Sequence, residues 1–134
     1  MAVSYTEAER MVEDMLYKND EMLAISIMDM RGNMLAAKTK ESFKQAFTFS
    51  RNGEYGGFLA VEMLSLVNRL RNVVGSAKAI LTLHEGCKLM LVPLPHCQIL
   101  VGLVLRHSVD AQDYNIANLI ERLVAKALDQ NAYN

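Results

Sequence analysis

His84, Cys87, His96 and Cys97 are the side chains in this sequence whose types alone suit metal binding or nucleophilic chemistry. Their spacing argues against both. His84 and Cys87 flank one end of an expected strand, and His96 and Cys97 lie at its other end. About eight residues at ~3.3 Å each hold the two groups more than ~20 Å apart. Zinc needs its ligands ~2.0–2.3 Å from one point. The same separation excludes a Cys87–Cys97 disulfide, which needs Cα atoms within about 7 Å. A cysteine nucleophile needs a base that a third group orients. His96 and Cys97 are adjacent, so on a strand they face opposite sides, and Cys97 reads as a small core residue.

Other chemistry is thinner still. Gly53, Gly56 and Gly57 open a helix, but GxxGG lacks the Lys-Ser/Thr of a P-loop and the dinucleotide spacing. Glu54 makes that helix start less attractive to an anion. Asp29 stands at a hairpin and reads as a turn residue. Arg69, Arg71 and Lys78 gather near the far end of the same helix, with Arg51 elsewhere. Arginine can act on a nucleotide in trans, but charges at a helix end read first as its solvated side. No catalytic residue, metal ligand or cofactor site is expected, and the chain reads as a non-enzyme.

The bulk composition bounds the rest. The 134 residues are 51% hydrophobic and 22% charged, with 14 basic and 15 acidic residues and a net charge of −1. That length is one typical domain, read as 1–134. The charge balance points away from nucleic acid as the main partner. No apolar run reaches the ~18 residues that span a bilayer, and Met1–Arg10 has no secretory pattern. Two cysteines among nine methionines fit a reducing cytoplasm.

Periodicity places the elements. Thr6 and Glu9 have capping-box spacing, and Ala8, Met11, Val12, Met15 and Leu16 form a helical stripe from Thr6 to Lys18. Met22–Asp29 is a strand apolar on both sides, which suits a doubly covered sheet. Arg31-Gly32-Asn33 turns it into Met34–Thr39, whose Lys38 and Lys40 suit an edge. Glu41–Gly53 holds three of the four phenylalanines, so it should fold back onto the body as a cover or a lid. A long helix follows from Glu54 to Val74, with Gly75 as terminator. Its stripe of Leu59, Met63, Leu66, Val67, Leu70, Val73 and Val74 is expected to face the core. Strands are expected at Lys78–His84, Cys87–Pro93 and Cys97–Leu105. A last helix, capped by Ser108 or Asp110, carries Ile116, Leu119, Ile120, Leu123, Val124, Ala127 and Leu128 inward.

These elements, in the order α-β-β-α-β-β-β-α, predict an α+β fold. Short loops force two hairpin units, and the two most apolar strands belong side by side. The result is one five-stranded antiparallel sheet ordered 2-1-5-4-3, with the long helix on one face and the terminal helices on the other.

The long helix has a surplus. Phe58, Val61 and Leu64 point roughly 100–160° away from its expected core stripe, at ~100° per residue. A helix apolar nearly all round is buried on two sides. The aromatic loop could cover the second side, or a second copy of the chain could. Gly56, Gly57 and Ala60 would permit close helix approach.

The element order, the strand–turn–strand unit Met22–Thr39 with Asp29-Met30-Arg31-Gly32-Asn33, and the meander Lys88–Leu105 with Pro93 resemble the roadblock/dynein light-chain family, a relative of longin and profilin-like folds. The resemblance spans about Thr6 to Leu128. Thr39–Gly53 is longer than the family's usual connection. The resemblance implies dimerisation through the long helix and the third-strand edge, which here means Gly57, Phe58, Val61, Leu64, Asn68, Lys78 and Ile80. It also implies a non-enzymatic platform or regulator for small Ras-like GTPases, or a scaffold component, of the kind that accompanies a GTPase in archaea or bacteria. The competing reading is a profilin-like or PAS-like domain that senses a small ligand between sheet and loop.

Overall fold

The computed structural model describes residues 3–43, 49–106 and 113–132, with side chains over 3–43, 59–106 and 115–129. Helix α1 (Tyr5–Lys18) begins at a capping box two residues earlier than the Thr6–Glu9 spacing suggests. The Ser4 hydroxyl accepts from the Glu7 backbone N–H at 3.2 Å, and the Glu7 carboxylate accepts from the Ser4 N–H at 3.1 Å. Two otherwise orphaned helix donors are thereby satisfied. The expected stripe of Ala8, Met11, Val12, Met15 and Leu16 is buried.

Strands β1 (Met22–Asp29) and β2 (Met34–Thr39) form a hairpin with the expected bounds. The Asp29 carboxylate closes it, accepting from the backbone N–H groups of Arg31 (2.8 Å) and Asn33 (2.9 Å) and from the Asn33 side chain (2.9 Å). Gly32 takes a φ of 88°, which a side chain would strain. Burial pushes the Asp29 pKa up, but the bonds from Asn33 and Arg31 outweigh it and hold the carboxyl below its ordinary value. Asp29 therefore serves the turn.

The remaining strands are β3 (Ile80–Leu83), β4 (Lys88–Leu94) and β5 (Ile99–Leu105). All pairs are antiparallel, in the order β2-β1-β5-β4-β3. The central pair is apolar on both sides, with Ile25, Ile27, Ile99, Leu100 and Val101 fully covered. Cys97 does not open the fifth strand. Pro95–Cys97 forms a single 3-10 turn, and Gln98, at φ 59°, swings the chain into Ile99.

Helix α1 and helix α4 (Asp113–Ala132) cover one sheet face, where Leu16, Ile25, Val92, Val101, Leu105, Ile120 and Val124 meet in the main core. The caps expected at Ser108 or Asp110 lie outside the described residues. The long helix is two helices. Helix α2 (Phe49–Asn68) starts earlier than Glu54, and its end tightens into i→i+3 bonds from Arg69 to Leu66 and from Leu70 to Val67. A separate turn, α3 (Arg71–Val74), follows and ends at Gly75 with φ 86°.

We expect Ser4→Ala to cost ~1 kcal/mol in urea unfolding, as loss of an N-cap does. Asp29→Ala should cost about 1–2 kcal/mol through the orphaned turn donors. Because the folded pKa of Asp29 lies below its ordinary 3.8, its stabilisation is present above that value and lost as pH falls through the folded value. Unfolding free energies of the parent and of Asp29→Ala should therefore converge in acid.

Candidate interaction surface

Helix α2 carries apolar residues on two sides, as its composition requires, but the sides are exchanged relative to the sequence reading. Ala60 and Leu64 are buried against Met28, Leu91 and Leu100 of the sheet, with Met30, Met34, Val61 and Ile80 packed around them. Leu64, expected on the outward side, is only 9% exposed and belongs to the core of its own chain. Of the stripe expected inside, Met63 and Val67 are half-buried and the other five residues are exposed. Leu66 is 59% exposed and Val73 83%, and Leu59, Leu70 and Val74 are more than half exposed.

The physical reason lies in residue size. Gly56, Gly57 and Ala60 share the Leu64 side of the helix at ~100° per residue. A small residue such as Ala60 suits the side that meets the sheet, while Leu59, Leu66 and Leu70 stand exposed. The periodicity of the helix reports two apolar faces and does not rank them. The residues the sequence singled out therefore divide. Val61 and Ile80 are half-buried in the α2–sheet layer, Asn68 and Lys78 are exposed, and Gly57 and Phe58 lie in α2 outside the described side chains. Phe43 packs on Leu23, Ala24 and Val104 of the sheet, whereas 44–48, the heart of the expected cover, lies outside the described residues.

The two sheet edges differ in the same sense. Along β2, Lys38 reaches Glu13 of α1 at 3.4 Å and sits 5.3 Å from the Tyr17 ring centroid. Charge and helix cover thus blunt that edge. Strand β3 reads Ile-Leu-Thr-Leu with no charge, and Leu83 is 67% exposed. The His84 N–H donates to the Cys87 carbonyl, so alternation turns the backbone groups of Ile80, Thr82 and His84 toward β4. Those of Leu81 and Leu83 point outward. The sequence reading missed the exposed leucines at this edge, Leu81 and Leu83 on one face and Leu89 on the other. The available signal was an uncharged apolar run in a strand assigned to the end of the sheet.

The histidines and cysteines singled out in the sequence lie in two separate groups. His84 and Cys87 face each other across the β3–β4 turn, with the His84 ring 2.9 Å from the Thr82 hydroxyl. His96 and Cys97 sit in the turn at the opposite end of β4. Burial pushes the Cys97 thiol up, which disfavours the thiolate a nucleophile needs. Among the described residues, no three His, Cys, Asp or Glu side chains converge as metal ligands. No described helix is long and apolar enough to cross a membrane.

Compared with solved structures, the chain is similar to the gliding protein MglB from Thermus thermophilus, with a TM-score of 0.70 at 14% identity over 94% of this chain and 91% of that one. It is also similar to a Roadblock/LC7 domain from Streptomyces avermitilis, with a TM-score of 0.68 at 9% identity over 92% and 97%. The chain has a roadblock fold. A profilin, LokiProfilin1 in complex with rabbit actin, matches 97% of this chain and 99% of its own length, but at a TM-score of 0.54 and 10% identity. Roadblock architecture thus fits better than the related profilin form. No family model and no curated protein matches the sequence.

Exchanged faces make opposite demands on neighbouring leucines. Leu64→Arg should unfold or severely destabilise the chain, since it removes ~1.5–3 kcal/mol of burial and inserts an unpaired charge. Leu66→Arg should change unfolding free energy by no more than ~0.5 kcal/mol when measured on dilute monomer.

Proposed function

We propose that this chain acts as one non-enzymatic domain that self-associates and serves as a platform or regulator for a small Ras-like GTPase. The observation that carries this reading is the exposed apolar side of α2 at Leu59 and Leu66, together with the uncharged edge of β3, which has no second strand partner among the described residues. Soluble chains seldom leave such a patch open unless something docks on it. A second copy, antiparallel about Thr82, could pair Leu81 with Leu83 of the other chain through the outward backbone groups. The same pairing would bring the exposed leucines of both edges together, with Asn68, Lys78 and Ile80 bordering the contact. This is the mode the roadblock resemblance implies. The GTPase role rests on that resemblance, and the separation of His84 and Cys87 from His96 and Cys97 is in keeping with it. The two free thiols fit a reducing cytoplasm.

A ligand-sensing role is the second reading. It is favoured by the Thr39 hydroxyl, buried and without a hydrogen bond among the described residues, in register with Ala24 of β1. Ser26 and Gly102 extend that small-residue floor.

Light scattering should give twice the chain mass for the parent and the single-chain mass for Leu83→Arg and Leu66→Arg, both still folded by circular dichroism. A parental monomer at high concentration would remove the self-association. Purified chain should also retain small GTPases in a manner that depends on bound GDP or GTP analogue. Retention in neither state, with a metabolite carried through native mass spectrometry, would favour the second reading.

A further inference from the structure

One corner of the exposed surface has a charge pattern that self-association does not explain. From Met63 to His84 the chain contains no aspartate or glutamate, yet it carries Arg69, Arg71 and Lys78. All three are exposed. None of the three side chains takes part in an ion pair or hydrogen bond among the described residues. By contrast, Lys18 pairs with Asp14 at 3.0 Å and Lys38 with Glu13, each with a carboxylate on α1. In a chain of net charge −1, three cations within ten residues, with no acidic residue between Met63 and His84, are a local excess along the sequence. In sequence they flank Val73 and Val74, the most exposed large aliphatic groups among the described residues, on a helix with no buried residue.

We propose that the α2–α3 corner, built from Arg69, Leu70, Arg71, Val73, Val74 and Lys78, is a docking site for an acidic protein surface with an apolar centre. The charge argument selects the occupant. Two copies stacked corner to corner would bring six like charges together with no carboxylate from either span, and like charges brought together at an interface cost several kcal/mol. An acidic partner instead meets each cation with an opposite charge while it covers the valines. Arginine suits this role because its planar fork binds a carboxylate through two parallel bonds. Association should be steered over long range and weaken with salt. The site rests on the reading of this chain as an interaction module, but not on its self-association.

The test uses the full chain and two fluorescent amphipathic helical peptides with identical leucine faces, one with glutamate on the polar face and one with lysine. Anisotropy should show binding of the glutamate peptide only, lost as salt rises from about 50 to about 300 mM. Arg69→Glu with Arg71→Glu should weaken it by at least about tenfold, whereas Arg69→Lys with Arg71→Lys should retain most of it. The mass by light scattering should be the same for all variants, so a failed dimer and a failed corner are distinguishable. Equal binding of both peptides, or undiminished binding by the charge-reversed variant, would overturn the proposal. So would binding to phosphatidylserine–phosphatidylcholine vesicles without binding to the peptide, which would make the corner a membrane site.

Discussion

A sheet that is apolar on both faces has to be covered twice, and the architecture follows from how this chain does it. Strands β1 and β5 carry apolar or small residues at nearly every position, so neither side of the central pair can face water. Helices α1 and α4 supply one cover with conventional amphipathic stripes. The other side receives α2, which touches the sheet through a narrow line of Ala60, Val61 and Leu64. That line covers Met28, Leu91 and Leu100, and among the described side chains of the helix it leaves Leu59 and Leu66 exposed.

Most of the architecture was legible in the residues because most elements carry a single unambiguous period. The α1 stripe, the bounds of β1 and β2, the sheet order and the inward side of α4 all follow from spacing and loop length. The failures share a cause. Where two answers have the same period, period cannot choose between them. Ser4–Glu7 and Thr6–Glu9 are equally good capping boxes on paper, and the former wins because Ser4 has the extended backbone a cap requires. The two sides of α2 are equally apolar, and the side with the small Ala60 is the one that meets the sheet. The break at Arg69–Leu70 has no glycine or proline to announce it.

The surface was therefore readable as a surplus but not as a location. Counting apolar residues on α2 showed that one face too many was present. Only the packing showed that the surplus lies with Leu59, Leu66, Leu70 and the valines of α3. The chemistry was readable in the opposite way. Histidine and cysteine spacing across β4 already separated the reactive groups, and the 3-10 turn that holds His96 and Cys97 moves them no nearer to the β3–β4 turn.

The inequality of the two sheet edges also sets how any strand addition ends. Head-to-tail stacking of β2 on β3 would leave a fresh edge after every step, the geometry of a growing fibre. Here the Lys38–Glu13 pair, roofed by Tyr17, closes β2 to newcomers. A ribbon with a single adhesive margin can only meet another such margin, and once two have joined neither chain has one left. With β2 blunted, strand addition at β3 would be self-terminating, and the limit on polymerisation would lie at the opposite margin of the sheet from the joining strand.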